Sequence, residues 1–164
     1  MIIKFFTPVR FLLLLLPVFV SVTQARQEAH DSILELKDFK HAITQAKALN
    51  RPFMIEFSSP SCQYCEALEE EILQPILKND DYLKKIAILK LEVGTSWLID
   101  ASGKTLSAED FADKYDVDFF PTIIFFNGEG KEVSRRIIGI TTIDYTTSQI
   151  DQAIDIANQQ MKMN

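Results

Sequence analysis

Phe53-Met54-Ile55-Glu56-Phe57-Ser58-Ser59-Pro60-Ser61-Cys62-Gln63-Tyr64-Cys65 is the stretch on which the reading of the fold turns. Residues 53–58 are apolar apart from Glu56 and the closing Ser58, the pattern of a strand buried on both faces. Ser58-Ser59-Pro60-Ser61 makes a turn. From Cys62 onward Tyr64, Leu68 and Ile72 recur at helical spacing. Both cysteines of the chain therefore stand where a buried strand hands over to a helix. The first N–H groups of a helix lack internal partners and carry partial positive charge, so a thiolate is stabilised there. A free cysteine titrates near 8.5, and in such motifs at helix starts the value falls to about 3.5–7.5. Cys65 lies one turn further on, placed to attack a mixed disulfide formed on Cys62, so the spacing supports thiol–disulfide exchange.

Blander readings of the pair stay open. A structural Cys62–Cys65 disulfide closes so short a loop that it constrains the unfolded chain little. A zinc half-site needs two further ligands, and His30 and His41 stand in no zinc-binding order. No metal, nucleotide or haem site is expected, and no cofactor.

Working outward, residues 33–36 read as a short strand. Leu36, Phe39, Ala42, Ile43, Ala46 and Leu49 predict a helix over 37–49, ended by Asn50-Arg51-Pro52. Pro75 should kink or restart the helix that begins at Cys62. Residues 86–93 alternate as a second central strand. Residues 94–106 carry the weakest pattern, with Ser102-Gly103 suggesting a small hairpin, and Trp97 is expected to pack locally there. Ser107 and Asp110 form a capping pattern ahead of a short helix bearing Phe111 and Tyr115. A strand over 122–126, a turn at Asn127-Gly128-Glu129-Gly130 and a partner strand over 131–138 follow. Ile150, Ala153, Ile154, Ala157 and Met161 form the stripe of a last helix. Alternating strands and helices closed by a hairpin imply an α/β fold with a mixed sheet covered on both faces.

The 164 residues suit one domain, and a hydrophobic fraction of 47% supports a packed core. A net charge of −6 argues against a broad nucleic-acid surface, so no nucleic-acid partner is expected. Residues 1–25 show a basic start with Lys4 and Arg10, an apolar run over 11–22 broken by Pro17, and Thr23-Gln24-Ala25 at its end. That order predicts a cleaved signal peptide, since a membrane-crossing helix needs about 20 apolar residues. The expected location is periplasmic or secreted, with anchoring by the uncleaved segment as the alternative. Residues 26–32 read as a flexible lead-in, and 33–161 as the domain.

The segment from Glu56 to Cys65 resembles the active-site segment of the thioredoxin superfamily. Val117-Asp118-Phe119-Phe120-Pro121-Thr122, followed by Ile123-Ile124-Phe125-Phe126-Asn127-Gly128, resembles that family's loop whose proline is cis and faces the cysteines. Gly139 matches the glycine before the final helix. The resemblance implies a thioredoxin fold, a central mixed β-sheet flanked by helices, here with a short insertion between the third strand and third helix. It is greatest to secreted bacterial thioredoxins of the SoxW type. Ser61 stands where the family usually has Trp, Gln63-Tyr64 replaces Gly-Pro, and the kink proline of the active-site helix is missing.

By this resemblance Cys62 is the attacking thiolate, Cys65 the resolving thiol, and Glu56 the carboxyl that relays protons to Cys65. A carboxyl in apolar surroundings has its pKa raised, which suits acid–base work. The plainer alternative makes Glu56 an edge-facing strand residue. Phe120 and Pro121 are expected to line the substrate site through the backbone, with Tyr64 on its rim and Phe119 in the core. The implied partners are protein thiols and disulfides of the periplasm and an electron donor in the membrane or of thioredoxin type. Reduction is the favoured direction, with an oxidase, an isomerase or a binding module that no longer turns over as the alternatives.

Overall fold

The computed structural model describes residues 33–163, so residues 1–25 with the expected signal peptide and the lead-in over 26–32 lie outside the described residues. Five strands form one sheet: β1 Leu34–Glu35, β2 Phe53–Ser58, β3 Ala87–Glu92, β6 Thr122–Phe126 and β7 Ile137–Ile138, in the order β1-β3-β2-β6-β7. β1, β3 and β2 run parallel, while β6 is antiparallel to β2 and β7 to β6. The sheet is mixed, as the alternation of elements implies.

All six residues of β2 are buried, because β2 has a strand on each side and a helical layer on each face. Phe53, Ile55 and Phe57 point into one core with Phe39, Phe111, Leu91, Ile124 and Phe126. That core lies under α1 (Phe39–Leu49) and α5 (Ala108–Lys114). Met54 points the other way, into a core with Leu68, Ile72, Ile88, Phe125 and Ile154. This second core lies under α2 (Gln63–Leu68), α3 (Gln74–Leu77) and α6 (Ile143–Met163). The period-2 alternation of a strand puts Glu56 on the second side, between Met54 and Ser58.

Local chemistry sets the helix ends. Asp38 caps α1 by accepting from the His41 N–H at 2.8 Å, and Asn50 ends the helix in the left-handed region with φ 46°. Ser107 caps α5 by accepting from the Asp110 N–H at 3.0 Å, the pattern read from the sequence. The segment over 94–106 folds as a separate hairpin, β4 Trp97–Ile99 with β5 Thr105–Ser107. It forms the insertion after the third strand. Trp97 does not pack within it: the ring is 64% exposed, since the pleat that buries Leu98 turns Trp97 outward.

Three features depart from the sequence reading. α4 (Asp80–Lys85) was not expected, because it has no apolar stripe. It is held by its ends instead, with Asn79 capping, Asp80 and Asp81 in the first turn and Lys84 and Lys85 in the last. The partner strand over 131–138 is broken. Glu132 pairs with Phe126 while Ile137 pairs with Ile123, so the return strand carries two extra residues and bulges. Arg136 in that bulge donates to the Tyr115 carbonyl at 2.7 Å and pairs with Glu132. Finally, Pro75 restarts the helix in the first turn of α3, as the sequence predicts, but ahead of it the chain widens into a π-helical turn over Glu69–Leu73 that the sequence reading did not include. Gln74 N–H donates to the Glu69 carbonyl five residues back. The wide turn admits Pro75, which has no N–H to give, at the start of α3.

Phe39 sits at the centre of the first core, edge-on to Phe53, Phe111, Tyr115 and Phe126 at centroid distances of 5.0–6.0 Å. Truncation there removes contacts that flanking rings cannot refill. Phe39→Ala should lower the unfolding free energy by about 3–5 kcal/mol, seen as a lower urea midpoint with the slope of the transition unchanged.

Candidate active site

β2 ends at Ser58, and four residues later the chain starts α2 with Cys62 as its cap. Ser61, just before it, takes φ 59° in the left-handed region, a conformation disfavoured for a residue with a Cβ. This turn aims Cys62 at the helix end. Its carbonyl accepts from the N–H groups of Cys65 and Glu66, each at 3.0 Å, and its Sγ lies 3.2 Å from the Cys65 nitrogen. The sulfur therefore occupies the place a capping side-chain oxygen takes elsewhere, facing an amide the helix cannot satisfy.

Cys62 and Cys65 are joined as a disulfide, with Cα atoms 5.2 Å apart. The two sulfurs are not equivalent. Cys62 is half-buried and Cys65 is 1% exposed, so an incoming thiolate reaches Cys62 first. Tyr64, between them, is 65% exposed.

Phe57 pairs with Thr122 across the antiparallel ladder, which brings the start of β6 to the same end of the sheet as the disulfide. The Phe120–Pro121 peptide there is cis. Pro121 is buried and Phe120 half-buried against the first core. The loop is tied from both sides: Thr122 Oγ1 donates to the Phe119 carbonyl and Gly139 N–H to the Pro121 carbonyl, each at 2.7 Å. Gly139 has φ 68°, and a Cβ on it would approach the Phe119 ring to 3.2 Å. Phe119 is 55% exposed rather than in the core, its ring lying against the half-buried Gly139.

Glu56 is wholly buried and not edge-facing, flanked in register by Lys90 on β3 and Ile123 on β6. Neither carboxyl oxygen has a hydrogen-bond partner. Burial raises its pKa to about 8, with the negative charge of Glu69 adding to the rise and Lys90 opposing it. Lys90 pairs with Glu69. Among the described residues no three His, Cys, Asp or Glu side chains stand together to hold a metal ion, and no helix is long and apolar enough to cross a membrane.

Residues 39–154 match the model of the thioredoxin-like domain. The chain belongs to the thioredoxin-like family. A segment of 99 residues is 31% identical to protein disulfide isomerase-like 1-4 of Oryza sativa subsp. japonica, covering 60% of this chain and 15% of that protein. The chain thus spans a small part of the curated relative it matches. Among solved structures, Trxlp of Edwardsiella tarda EIB202 is 22% identical with a TM-score of 0.53, covering 71% of this chain and 96% of its own. The structure titled DsbH Oxidoreductase is 17% identical with a TM-score of 0.57, covering 78% and 89%. Both show the thioredoxin fold. Membership of the family and the Cys62–Cys65 pair together support a thiol–disulfide oxidoreductase.

A carboxyl whose folded pKa is near 8 binds a proton that the unfolded chain, near 4.5, has released. The stability it contributes is complete below pH 4.5 and is lost as the pH rises through about 8. At about 1.4 kcal/mol per unit, the disulfide form should lose on the order of 4 kcal/mol at most between pH 5 and pH 9. Glu56→Gln should flatten that slope. Urea unfolding of both proteins at the two pH values checks it, and parallel slopes would remove the buried-acid assignment.

Proposed function

We propose that the protein exchanges disulfides with secreted protein clients through Cys62 and Cys65, chiefly as a reductase, and that it sits with the secreted bacterial SoxW-type members of its family. One observation carries this reading: Cys62 Sγ caps a helix with the Cys65 N–H 3.2 Å away, while Cys65 is shut from solvent. This asymmetry supports an attacking role for Cys62 and a resolving role for Cys65.

In the reducing direction the Cys62 thiolate attacks one sulfur of a client disulfide. A Cys62–client disulfide forms, and the client's other sulfur leaves as a thiolate and takes up a proton. Cys65 then gives its proton to the Glu56 carboxylate and attacks Cys62 Sγ. The Cys62–Cys65 disulfide closes and the second client thiolate departs. Two electrons have passed from the protein dithiol to the client disulfide. When a donor dithiol recharges the protein, Glu56 returns the proton to the Cys65 sulfur as the disulfide opens. A carboxyl with pKa about 8 holds that proton ready in the disulfide form.

The exposed rings of Tyr64 and Phe119 give an apolar rim, and the backbone at Phe120, held by the Pro121 turn, offers an extended client segment a strand-like partner. The direction of exchange follows from charge. Gln63-Tyr64 brings no cation between the cysteines and Glu66 stands next to Cys65, so the Cys62 thiolate is stabilised less than beside a cation. A reductase outside the cytosol requires an electron supply, which points to a membrane donor or a partner thioredoxin. The leader-like residues 1–25 support the location, and anchoring through them is the alternative.

Cys62→Ser should reduce insulin-type disulfide substrates no faster than the uncatalysed background. Cys65→Ser should accumulate mixed disulfides on Cys62, which name the clients. Activity of Cys62→Ser equal to wild type would overturn the catalytic reading and leave a binding module. The measured reduction potential should lie near the thioredoxin value of about −270 mV; a value near −120 mV would make the protein an oxidant.

A further inference from the structure

Lys90 lies at the junction of three elements that each carry a carboxylate. In the sheet it stands between Glu35 of β1 and Glu56 of β2, in register with both. Glu92 follows two positions later on the same face of β3, and Glu69 reaches it from the π-helical turn after α2. The lysine has one ammonium to share among four acids, and the structure shows where it goes. Its Nζ is bonded to Glu69, the two side chains being 24% and 23% exposed. Glu35 is engaged by Lys37 at 2.5 Å and by the Ser96 hydroxyl at 2.6 Å. Glu92 accepts from the Thr95 hydroxyl at 2.6 Å. Glu56 alone of the four is wholly buried, and both its oxygens lack a partner.

Burial disfavours a charge on Glu56, so the ammonium pairs with the half-exposed Glu69 and Glu56 stays unpaired. Because Lys90 stands in register with Glu56, the bond to Glu69 also holds the ammonium away from that carboxyl. Glu69 is the first residue of the π-helical turn, where the helix widens.

Resting on the reading of Glu56 as proton relay to Cys65, we propose that Glu69 is a positioning residue for the exchange reaction: by holding the Lys90 ammonium it withholds that cation from Glu56 and leaves the Glu56 carboxyl unpaired and free to trade a proton with Cys65. Without Glu69, Lys90 turns to Glu56, the pair locks as carboxylate and ammonium, and the proton store is lost. The groups that set the outcome are Lys90 and Glu92 on β3, Glu35 on β1, Glu69 on the π-turn and the Cys65 sulfur on α2. From β6 and α6 the neighbours on this face are apolar, Ile123, Ile150 and Ile154.

The test follows the Glu56 side-chain carboxyl by carbon NMR across pH in the disulfide form, beside the pH dependence of the rate at which dithiothreitol reduces the Cys62–Cys65 disulfide. Glu69→Gln keeps the size of the side chain and removes its charge. It should move the Glu56 titration downward by about one pH unit or more, as a new opposite charge does, and shift the rate profile in the same direction. Glu69→Asp should restore part of both. Lys90→Met should leave the Glu56 titration at or above the wild-type value, because no cation is then available to lower it. If Glu56→Gln changes the rate profile while Glu69→Gln moves neither the profile nor the Glu56 titration, the relay stands and the role of Glu69 is overturned. If Glu56→Gln leaves the rate profile as in wild type, the relay itself fails and this proposal with it.

Discussion

The structure is organised by the double burial of β2. A strand with neighbours on both sides and helices on both faces has no solvent-facing position, so each of its side chains must satisfy a core. Phe53, Ile55 and Phe57 fill one core and Met54 fills the other. The chain can leave this environment only at the C-terminal end of the strand, and there it turns through Ser61 into Cys62. The parallel neighbour β3 and the antiparallel neighbour β6 deliver the insertion hairpin and the cis-proline loop to that same end. A charge placed on such a strand cannot be incidental. Glu56 is tolerated because it carries a proton, and the burial that enforces the proton also makes the group useful for acid–base work.

Much of this was legible because it depends on local signals that burial amplifies. The apolar run of β2 broken only by Glu56, the helix-start placement of Cys62 and the cap at Ser107 are each written within a few neighbouring residues. They survive into the structure because the sheet needs them where they are. What was not legible falls into two classes. α4 and the bulge before β7 depend on backbone hydrogen bonds and end charges, with little apolar pattern to betray them. The exposure of Trp97 and Phe119 depends on which face of a hairpin or turn meets the core, and aromatic character alone does not decide that.

The Lys90–Glu69 pair belongs to neither class. Its members are 21 positions apart, and each looks ordinary in its own segment: Glu69 opens a run of three acids, and Lys90 alternates with apolar residues on β3. A signal was nevertheless present. Glu69 follows Cys65 by four positions on the same helical stripe as Leu68 and Ile72, and Lys90 shares the strand face of Ile86 and Ile88. Opposite charges at inward-facing positions of two elements that pack together predict a half-buried ion pair. Seeing it requires knowing that the elements pack together, which follows only once β2 and the helix after Cys62 are placed.

The departures from the family pattern in this helix are connected through Pro75. A proline close to the active site would kink the helix early and carry the following turn away from β3. Here the helix runs regularly from Gln63 to Leu68, and the break is delayed until the turn before Pro75. The missing N–H of Pro75 and the bulk of its ring must be absorbed upstream, and the π-helical turn over Glu69–Leu73 absorbs them by closing i to i−5. In this widened turn Glu69 pairs with Lys90 of β3 while Ile72 and Leu73 stay in the core. The position of one proline thus bears on whether an acid on the helix after Cys62 can compete for Lys90, and through Lys90 on how firmly the buried Glu56 carboxyl keeps its proton.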